Sequence, residues 1–295
     1  MVTSEIFRAF VAANRGIPDR PRRPALRHRG VVAPAAGAGI VASHHVLGDP
    51  VEGPDGPPPR LAGLKAGGHA LDHRATDDGG CAMATVLVIG ASRGVGLEVV
   101  KQALAAGHRV RAMARRVERI AVVDPNLETY AGDALARGDV RAALDGVDAV
   151  VQTLGITPRP DAVVRGTRLF SRATRVLVEA MDEAGVRRLV CLTGFGAGDS
   201  RNQGGCLYDF AFNLLLGRVY DDKNVQEHLV RNSELDWVIA RPAILTDAAR
   251  TGRYRVLLDP KDWRGGFISR GDVADFLVRS IDDDRFLRKA PVLVG

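Results

Sequence analysis

Thr85-Val-Leu-Val-Ile89 runs directly into Gly90-Ala-Ser-Arg-Gly94-Val-Gly96, a strand-forming stretch set against a glycine-rich turn. An unbroken apolar run of that length suits a strand buried on both faces. Helical spacing then begins inside the turn. Residues 95–106 place Leu97, Val100 and Leu104 on one face, and Gly107 is a stop. Each glycine has a physical role in such a turn: Gly90 permits the tight reversal, Gly94 lets the backbone approach a pyrophosphate, and Gly96 brings helix and sheet close together. The exposed amides and the positive helix end then hold phosphates. Gly90, Ser92, Arg93, Gly94, Val95 and Gly96 are therefore the candidate dinucleotide contacts.

Downstream the alternation continues. Residues 109–113 and 127–130 are strand-like, the second more weakly, and 140–144 form a short helix. Residues 148–153 make a fourth strand, and Leu169, Ala173, Val176, Leu177 and Ala180 recur at helical spacing until Gly185. A fifth strand over 188–193, a helix over 221–232 and a sixth strand over 237–240 complete the series. This pattern predicts an α/β fold, a Rossmann-type doubly wound parallel sheet with helices on both faces, as one domain over residues 83–295.

Upstream the texture is different. Residues 1–82 hold 9 of the 15 prolines, 12 of the 33 glycines and only two of the 15 aromatics, Phe7 and Phe10. Such composition buries too little apolar surface to offset chain entropy and predicts a disordered extension. An organelle transit peptide, a basic tail that meets a partner, and translated sequence upstream of a start at Met83 all fit, the last most simply. The extension holds 10 basic and 8 acidic residues, so +2 of the net charge of +6 belongs to it and +4 to the domain. No basic stripe with interleaved aromatics is present, which argues against nucleic acid as a partner. No run reaches the 18 or more apolar residues of a membrane span. Cys81, Cys191 and Cys206 are too few and scattered for a disulfide framework or a zinc site, so no metal is expected and the setting is reducing and cytoplasmic. The sequence is compatible with a monomer.

An NAD-preferring site usually carries an acidic residue after the second strand to bind the ribose 2'-hydroxyl. Here that strand continues as Ala114-Arg115-Arg116, with no acid in place. Arg93 in the turn and Arg115 beyond the strand could clamp a 2'-phosphate through charge-assisted bonds, which favours NADP. Arginine alone is weak support in a chain with 36 of them and 5 lysines. The missing carboxylate is the better clue.

The glycine turn resembles the nucleotide loop of the short-chain dehydrogenase/reductases. The rest resembles their atypical branch, which includes NmrA-like and biliverdin/flavin reductase B-like proteins. The matching segments are Gly132-Asp133-Ala134, Asp148-Ala-Val-Val-Gln-Thr-Leu-Gly155, Gly185-Val-Arg-Arg-Leu-Val-Cys-Leu-Thr193-Gly194, Leu235-Asp-Trp-Val-Ile-Ala-Arg-Pro242 and Ile268-Ser-Arg-Gly-Asp-Val-Ala274. Together they cover essentially all of residues 84–295. The resemblance implies that Asp133 and Ala134 sit by the adenine, and that Leu154 and Gly155 run along the cofactor. It implies Thr193 near the nicotinamide, and Pro242 and Ile244 beside the nicotinamide amide.

The family's usual chemistry pairs a serine after the fifth strand with a Tyr-x-x-x-Lys helix, whose lysine lowers the tyrosine pKa for proton exchange. This chain departs twice. Thr193-Gly194 leaves a threonine hydroxyl one place early, and Tyr220-Asp-Asp-Lys223 is one residue short. At i,i+3 Tyr220 and Lys223 still share a helical face. In biliverdin/flavin reductase B-like proteins a histidine occupies the place that Lys223 fills here, no catalytic tyrosine is used, and hydride passes directly to a conjugated acceptor. Lys223, Tyr220 and Thr193 are the candidate catalytic residues, with Lys223 and Thr193 also candidate cofactor contacts. Plainer roles compete with each: Lys223 pairing with Glu227 on a solvated helix face, Tyr220 packing at a helix start, Thr193 closing a strand end. Asp221 and Asp222 read as first-turn acids. Phe195, Phe210 and Phe212 could wall a substrate pocket or lie in the core.

The reading that follows is an NADPH-dependent reductase acting on a small conjugated molecule such as a flavin, quinone or tetrapyrrole, the acceptor resting on resemblance alone. The alternative is an NmrA-like sensor that binds NADP and a partner protein without turnover. A nucleotide-sugar epimerase or dehydratase is weaker, because its pattern requires the intact Tyr-x-x-x-Lys pair.

Overall fold

The computed structural model describes residues 71–72, 83–156, 166–200 and 206–295, the last stretch with side chains from residue 219 onward. The first long strand, β2 (Thr85–Ile89), is the apolar run that leads into the glycine turn, preceded by a two-residue strand, β1 (Leu71–Asp72). Element formation thus begins inside the segment whose composition predicted none; the remainder of 1–82 lies outside the described residues. The chain continues through α1 (Gly94–Ala105), β3 (Arg109–Ala114), β4 (Leu127–Ala131), α2 (Arg137–Ala143), β5 (Ala149–Gln152), α3 (Leu169–Ala184) and β6 (Arg188–Leu192). It ends with α4 (Cys206–Arg231), β7 (Asp236–Pro242), β8 (Ile244–Thr246), β9 (Arg255–Leu257), β10 (Phe267–Ser269), α5 (Arg270–Arg279) and β11 (Val292–Val294).

The large sheet runs β1-β9-β11-β7-β6-β5-β2-β3-β4. From β11 to β4 every neighbouring pair is parallel, whereas β9 and β1 add antiparallel edges. Six of its strands therefore follow the doubly wound order, which reverses between β2 and β5 and leaves a crevice at their carboxyl ends. A separate parallel pair joins β8 to β10.

Alternation along each strand divides the core between the two faces. Val86 and Val88 of β2 pack with Val95, Val99, Val100 and Ala103 of α1 and with Val273, Ala274 and Leu277 of α5. Leu87 and Ile89 pack on the other face with Val140 and Ala143 of α2 and Leu177, Ala180 and Met181 of α3. Full burial of each large aliphatic side chain contributes about 1.5–3 kcal/mol, so these two layers hold the sheet edge that carries the glycine turn.

The predicted strands all form, with ends shifted by one or two residues: β5 and β6 stop before Thr153 and Thr193. The helices depart more. α2 starts at Arg137 rather than residue 140, and α4 is 26 residues long where the spacing predicts 221–232. Consequently Tyr220, Asp221 and Asp222 sit in mid-helix, not at a helix start. Asp222 is buried and accepts hydrogen bonds from the Phe170 and Ser171 amides (2.8 and 3.2 Å), so its carboxylate caps α3 rather than its own helix.

Candidate functional site

The residues expected to hold a dinucleotide come together at the carboxyl edge of the sheet. Gly90 has φ +92°, and a Cβ there would stand 2.9 Å from the Thr153 carbonyl oxygen, so the turn passes tightly against the end of β5. The Gly90 and Ala91 amides donate to the Met113 carbonyl (3.1 and 3.3 Å), tying the turn to the end of β3. The Gly132 amide donates to the Ala114 carbonyl (3.2 Å), which brings Arg115 beside Asp133 and Ala134. Val95 and Gly96 are buried; Ser92 is half-buried, and Arg93, Gly94 and Arg115 are exposed. Neither Arg93 nor Arg115 makes an ion pair with a described residue. The first turn of α1 carries no acidic residue, so its positive end is uncompensated. Leu154 and Gly155 follow β5, half-buried and exposed.

Asp133 takes part in a local turn. Its Oδ1 accepts the Leu135 amide (3.0 Å), and its own amide donates to Asp139 Oδ2 (2.8 Å).

Farther along the same edge, Thr193 and Gly194 follow β6, and the Phe195 amide donates to the Pro242 carbonyl (2.9 Å). Ile244, half-buried, begins β8. Lys223 is buried, and its ammonium donates to the Thr193 carbonyl (2.8 Å) while lying 4.5 Å from the centre of the Phe170 ring and 6.0 Å from that of Tyr220. The solvated pairing with Glu227 is therefore not what forms: both side chains point inward. The Thr193 hydroxyl donates to Glu227 Oε1 (2.8 Å). The other bonds of Glu227 come from Arg241, whose Nε and Nη2 reach its two oxygens at 3.0 and 2.5 Å. Arg241 also pairs with Asp199. Burial works against the Arg241 charge, but Glu227 and Asp199 outweigh it and hold the pKa above its ordinary value. Tyr220 is half-buried with its ring against Gly194, where a side chain would collide with its hydroxyl.

Sequence reasoning missed Glu227 and Arg241 as parts of this assembly. It also offered Phe195 as a pocket wall; the ring is buried with Ala243, Leu257, Val292 and Val294, on the far strands of the sheet. Phe210, Phe212 and Cys206 have side chains outside the described residues. Cys191 is buried and its thiol is pushed up to about 12 by that burial, the nearby Lys223 charge opposing, so it is no nucleophile. Among the described residues no cluster of His, Cys, Asp and Glu could hold a metal, and no helix is long and apolar enough to cross a membrane. A cavity of about 400 Å³ opens elsewhere, at the amino-terminal ends of β5, β6 and β7. Arg187 pairs there with Asp236 and Arg188 with Asp284, while the Asp148 carboxylate accepts the Thr85 amide (2.7 Å), so its polar groups are already engaged.

Burial drops the Lys223 pKa from its ordinary 10.5 to about 8, the Cys191, Glu227 and Asp222 side chains opposing the fall. Between these values the unfolded chain keeps a proton that the folded chain has released. Stability due to this group therefore rises with pH across about 8 to 10.5, and the cost of burying the charge is present in full below 8. Denaturant unfolding of the natural protein and of Lys223→Met from pH 7 to 10.5 should show their stability difference shifting toward the natural protein by a few kcal/mol. A pH-independent difference would contradict the buried ammonium.

A parallel sheet with the 3-2-1-4-5-6 strand order and a glycine turn opening onto its crevice defines a Rossmann-class dinucleotide-binding protein. The NAD(P)H-binding family model matches residues 90–284, and the chain belongs to that family. Proteins described as a short-chain dehydrogenase/reductase and as a putative NAD-dependent epimerase/dehydratase share its fold. Sterol demethylase protein B of Methylococcus capsulatus is 36% identical over 126 residues, 41% of this chain and 37% of that one. The photosystem II assembly factor Ycf39 of Synechocystis is 24% identical over 225 residues, 71% of this chain and 62% of that one. The chain thus spans less than two thirds of either relative. Among solved structures, ChuY of Escherichia coli O157:H7, an anaerobillin reductase, superposes with a TM-score of 0.59 at 25% identity, covering 71% of this chain and 96% of that one. A wide-type short-chain dehydrogenase/reductase from Veillonella parvula, solved with NADP, gives a TM-score of 0.61 at 14% identity, a likeness of fold, over 72% of this chain and 94% of that one.

Proposed function

We propose that this protein is an NADPH-dependent reductase that delivers hydride to a conjugated small molecule of the flavin, quinone or tetrapyrrole kind. The fit to a dinucleotide rests on the glycine cradle: side chains at 90 or 96 would fill the space against Thr153, while Gly94 at the start of α1 is exposed. Arg93 and Arg115 hold the adenosine 2'-phosphate, and Asp133 and Ala134 flank the adenine. Leu154, Gly155, Pro242 and Ile244 line the path to the nicotinamide. Bound there, the reduced dinucleotide supplies hydride.

One observation carries the choice of acceptor. The Thr193 hydroxyl is spent on Glu227 and the Lys223 ammonium on the Thr193 carbonyl, so the Ser-Tyr-Lys relay that protonates a simple carbonyl is not assembled. A conjugated acceptor needs no such relay, because its reduced form spreads the added charge and takes a proton from water. Lys223 fixes the Thr193-Gly194 turn against the nicotinamide. The resemblance to ChuY supports a tetrapyrrole among the acceptors. The same closed network is what a non-catalytic NADP sensor would show, so turnover decides between the two.

Purified protein mixed with NADPH and a panel of flavins, quinones and linear tetrapyrroles should consume nicotinamide absorbance with at least one acceptor. Tight NADPH binding without turnover on any of them would favour the sensor. Arg93→Ala and Arg115→Ala should weaken NADPH about tenfold or more while sparing NADH, since each removes a charge-assisted bond to the 2'-phosphate; equal losses for both would sink that clamp.

A further inference from the structure

Arg270 begins α5, far from the glycine turn in sequence, yet its side chain extends to it. Its Cδ and Nε lie 3.8 Å from where a Cβ on Gly94 would stand. Two contacts fix the approach. α5 packs along α1 through Val273, Ala274 and Leu277, and Gln102 Nε2 of α1 donates to the Gly271 carbonyl (2.9 Å). The only ion pair of Arg270 among the described residues is with Asp247 (Nη1 to Oδ1, 2.5 Å), a carboxylate 92% exposed just beyond β8. A guanidinium 31% exposed, held over the first residue of α1 and paired only to a solvated carboxylate, can exchange that partner for a phosphate at little cost.

We propose that Arg270 is a cofactor-binding residue that closes over the pyrophosphate of the bound dinucleotide, exchanging its partner Asp247 for the phosphate. The assignment rests on the dinucleotide reading of the glycine turn and adds a cation from far along the sequence. Gly94 is where the backbone approaches the pyrophosphate, so a guanidinium beside it meets a group that NADH and NADPH share, unlike Arg93 and Arg115. The bond is charge-assisted in a site already favoured by the α1 amides. Lysine, a point charge without the planar fork, would replace it only in part.

Dissociation constants for NADH and NADPH, measured by nicotinamide fluorescence on the full chain, test this. Arg270→Ala should weaken both by about ten- to a hundredfold, by the same factor, and Arg270→Lys should recover part of the loss. Asp247→Asn, at a surface position that cannot disturb the fold, should tighten both about two- to fivefold by freeing the guanidinium. An Arg270→Ala protein that melts like the natural one and binds both dinucleotides unchanged would overturn the proposal. So would a loss confined to NADPH, which would move Arg270 to the 2'-phosphate, or an Asp247→Asn protein that binds both more weakly. Failure of the underlying reading is distinct: the natural protein itself would bind neither dinucleotide.

Discussion

Gly96→Ala should cost about 3 kcal/mol or more of stability and at least tenfold in dinucleotide affinity. Gly96 lies in the first turn of α1, and a Cβ there would stand 2.6 Å from Thr153 Oγ1 and closer still to the Gly90 carbonyl oxygen. Neither obstacle can yield. The Thr153 hydroxyl donates to the Ile89 carbonyl (3.0 Å), and the Gly90 backbone is pinned by its amide to Met113. The helix itself must therefore back away from β2, opening gaps under Val95, Val99 and Val100, all buried. Overpacking of this kind costs about 1–3 kcal/mol, and more where backbone meets backbone. The α1 amides would retreat from the phosphates by the same displacement. Gly138→Ala in α2 is the matched control: nothing lies within 4 Å of its added Cβ, and a helical alanine is favoured over glycine by up to about 1 kcal/mol. Urea unfolding midpoints for both variants, with nicotinamide fluorescence titrations, check the contrast. An unchanged midpoint for Gly96→Ala would show that helix and sheet are not in close contact.

That glycine is legible in the sequence because its role is local. A strand, a turn and a helix contiguous in sequence need a side-chain-free residue where they touch, and the spacing of Gly90, Gly94 and Gly96 records it. The parallel strands are legible for a similar reason, since burial on both faces writes an unbroken apolar run. α4 is not. Asp221 and Asp222 read as first-turn acids of a helix beginning near 221, whereas Asp222 serves the amides of α3. The short elements β8 to β11, three residues each, carry no period of their own and exist because β7 and each other offer partners. α5 has a local signal in Ser269, three residues before Asp272. Its hydroxyl accepts the Asp272 amide (3.0 Å) as a helix cap, and the Asp272 carboxylate in turn fastens Thr251 and Gly252. At the candidate catalytic end, sequence spacing correctly places Tyr220 and Lys223 on one helical face. It does not reveal that face turned inward, because the groups that stabilise Lys223 and Glu227 there come from β6 and β7.

Arg241→Met is expected to destabilise the protein by about 3–5 kcal/mol, and the reason is the carboxylate it leaves behind. Glu227 and Arg241 are 1% and 0% exposed at the side chain and joined by two bonds. An ion pair so buried contributes little net stability when intact, because desolvation of both charges offsets their attraction, but removal of one partner strands the other. Arg231, 3.9 Å from Glu227, is partly exposed and already engaged with Asp199, so it compensates only in part. Asp199 would be affected less. Burial raises its carboxyl pKa, Arg241 and Arg231 overcome that and hold it below its ordinary 3.8, yet its side chain is largely in water and can lose one arginine cheaply. The damage should therefore be reversed by neutralising Glu227 rather than Asp199. A Glu227→Gln/Arg241→Met double variant should recover most of the loss, whereas Asp199→Asn/Arg241→Met should not. Glu227 also accepts the Thr193 hydroxyl, and a Cβ on Gly198 would meet its carboxylate, so a stranded charge would loosen residues 193–198 at the carboxyl end of β6. Turnover with NADPH should then fall in Arg241→Met by more than its folded fraction explains, and the Glu227→Gln/Arg241→Met variant, which keeps an acceptor for Thr193, should regain it. Additive losses across the pair, or a single variant as stable as the natural chain, would mean that the Glu227 carboxylate is not confined between these elements.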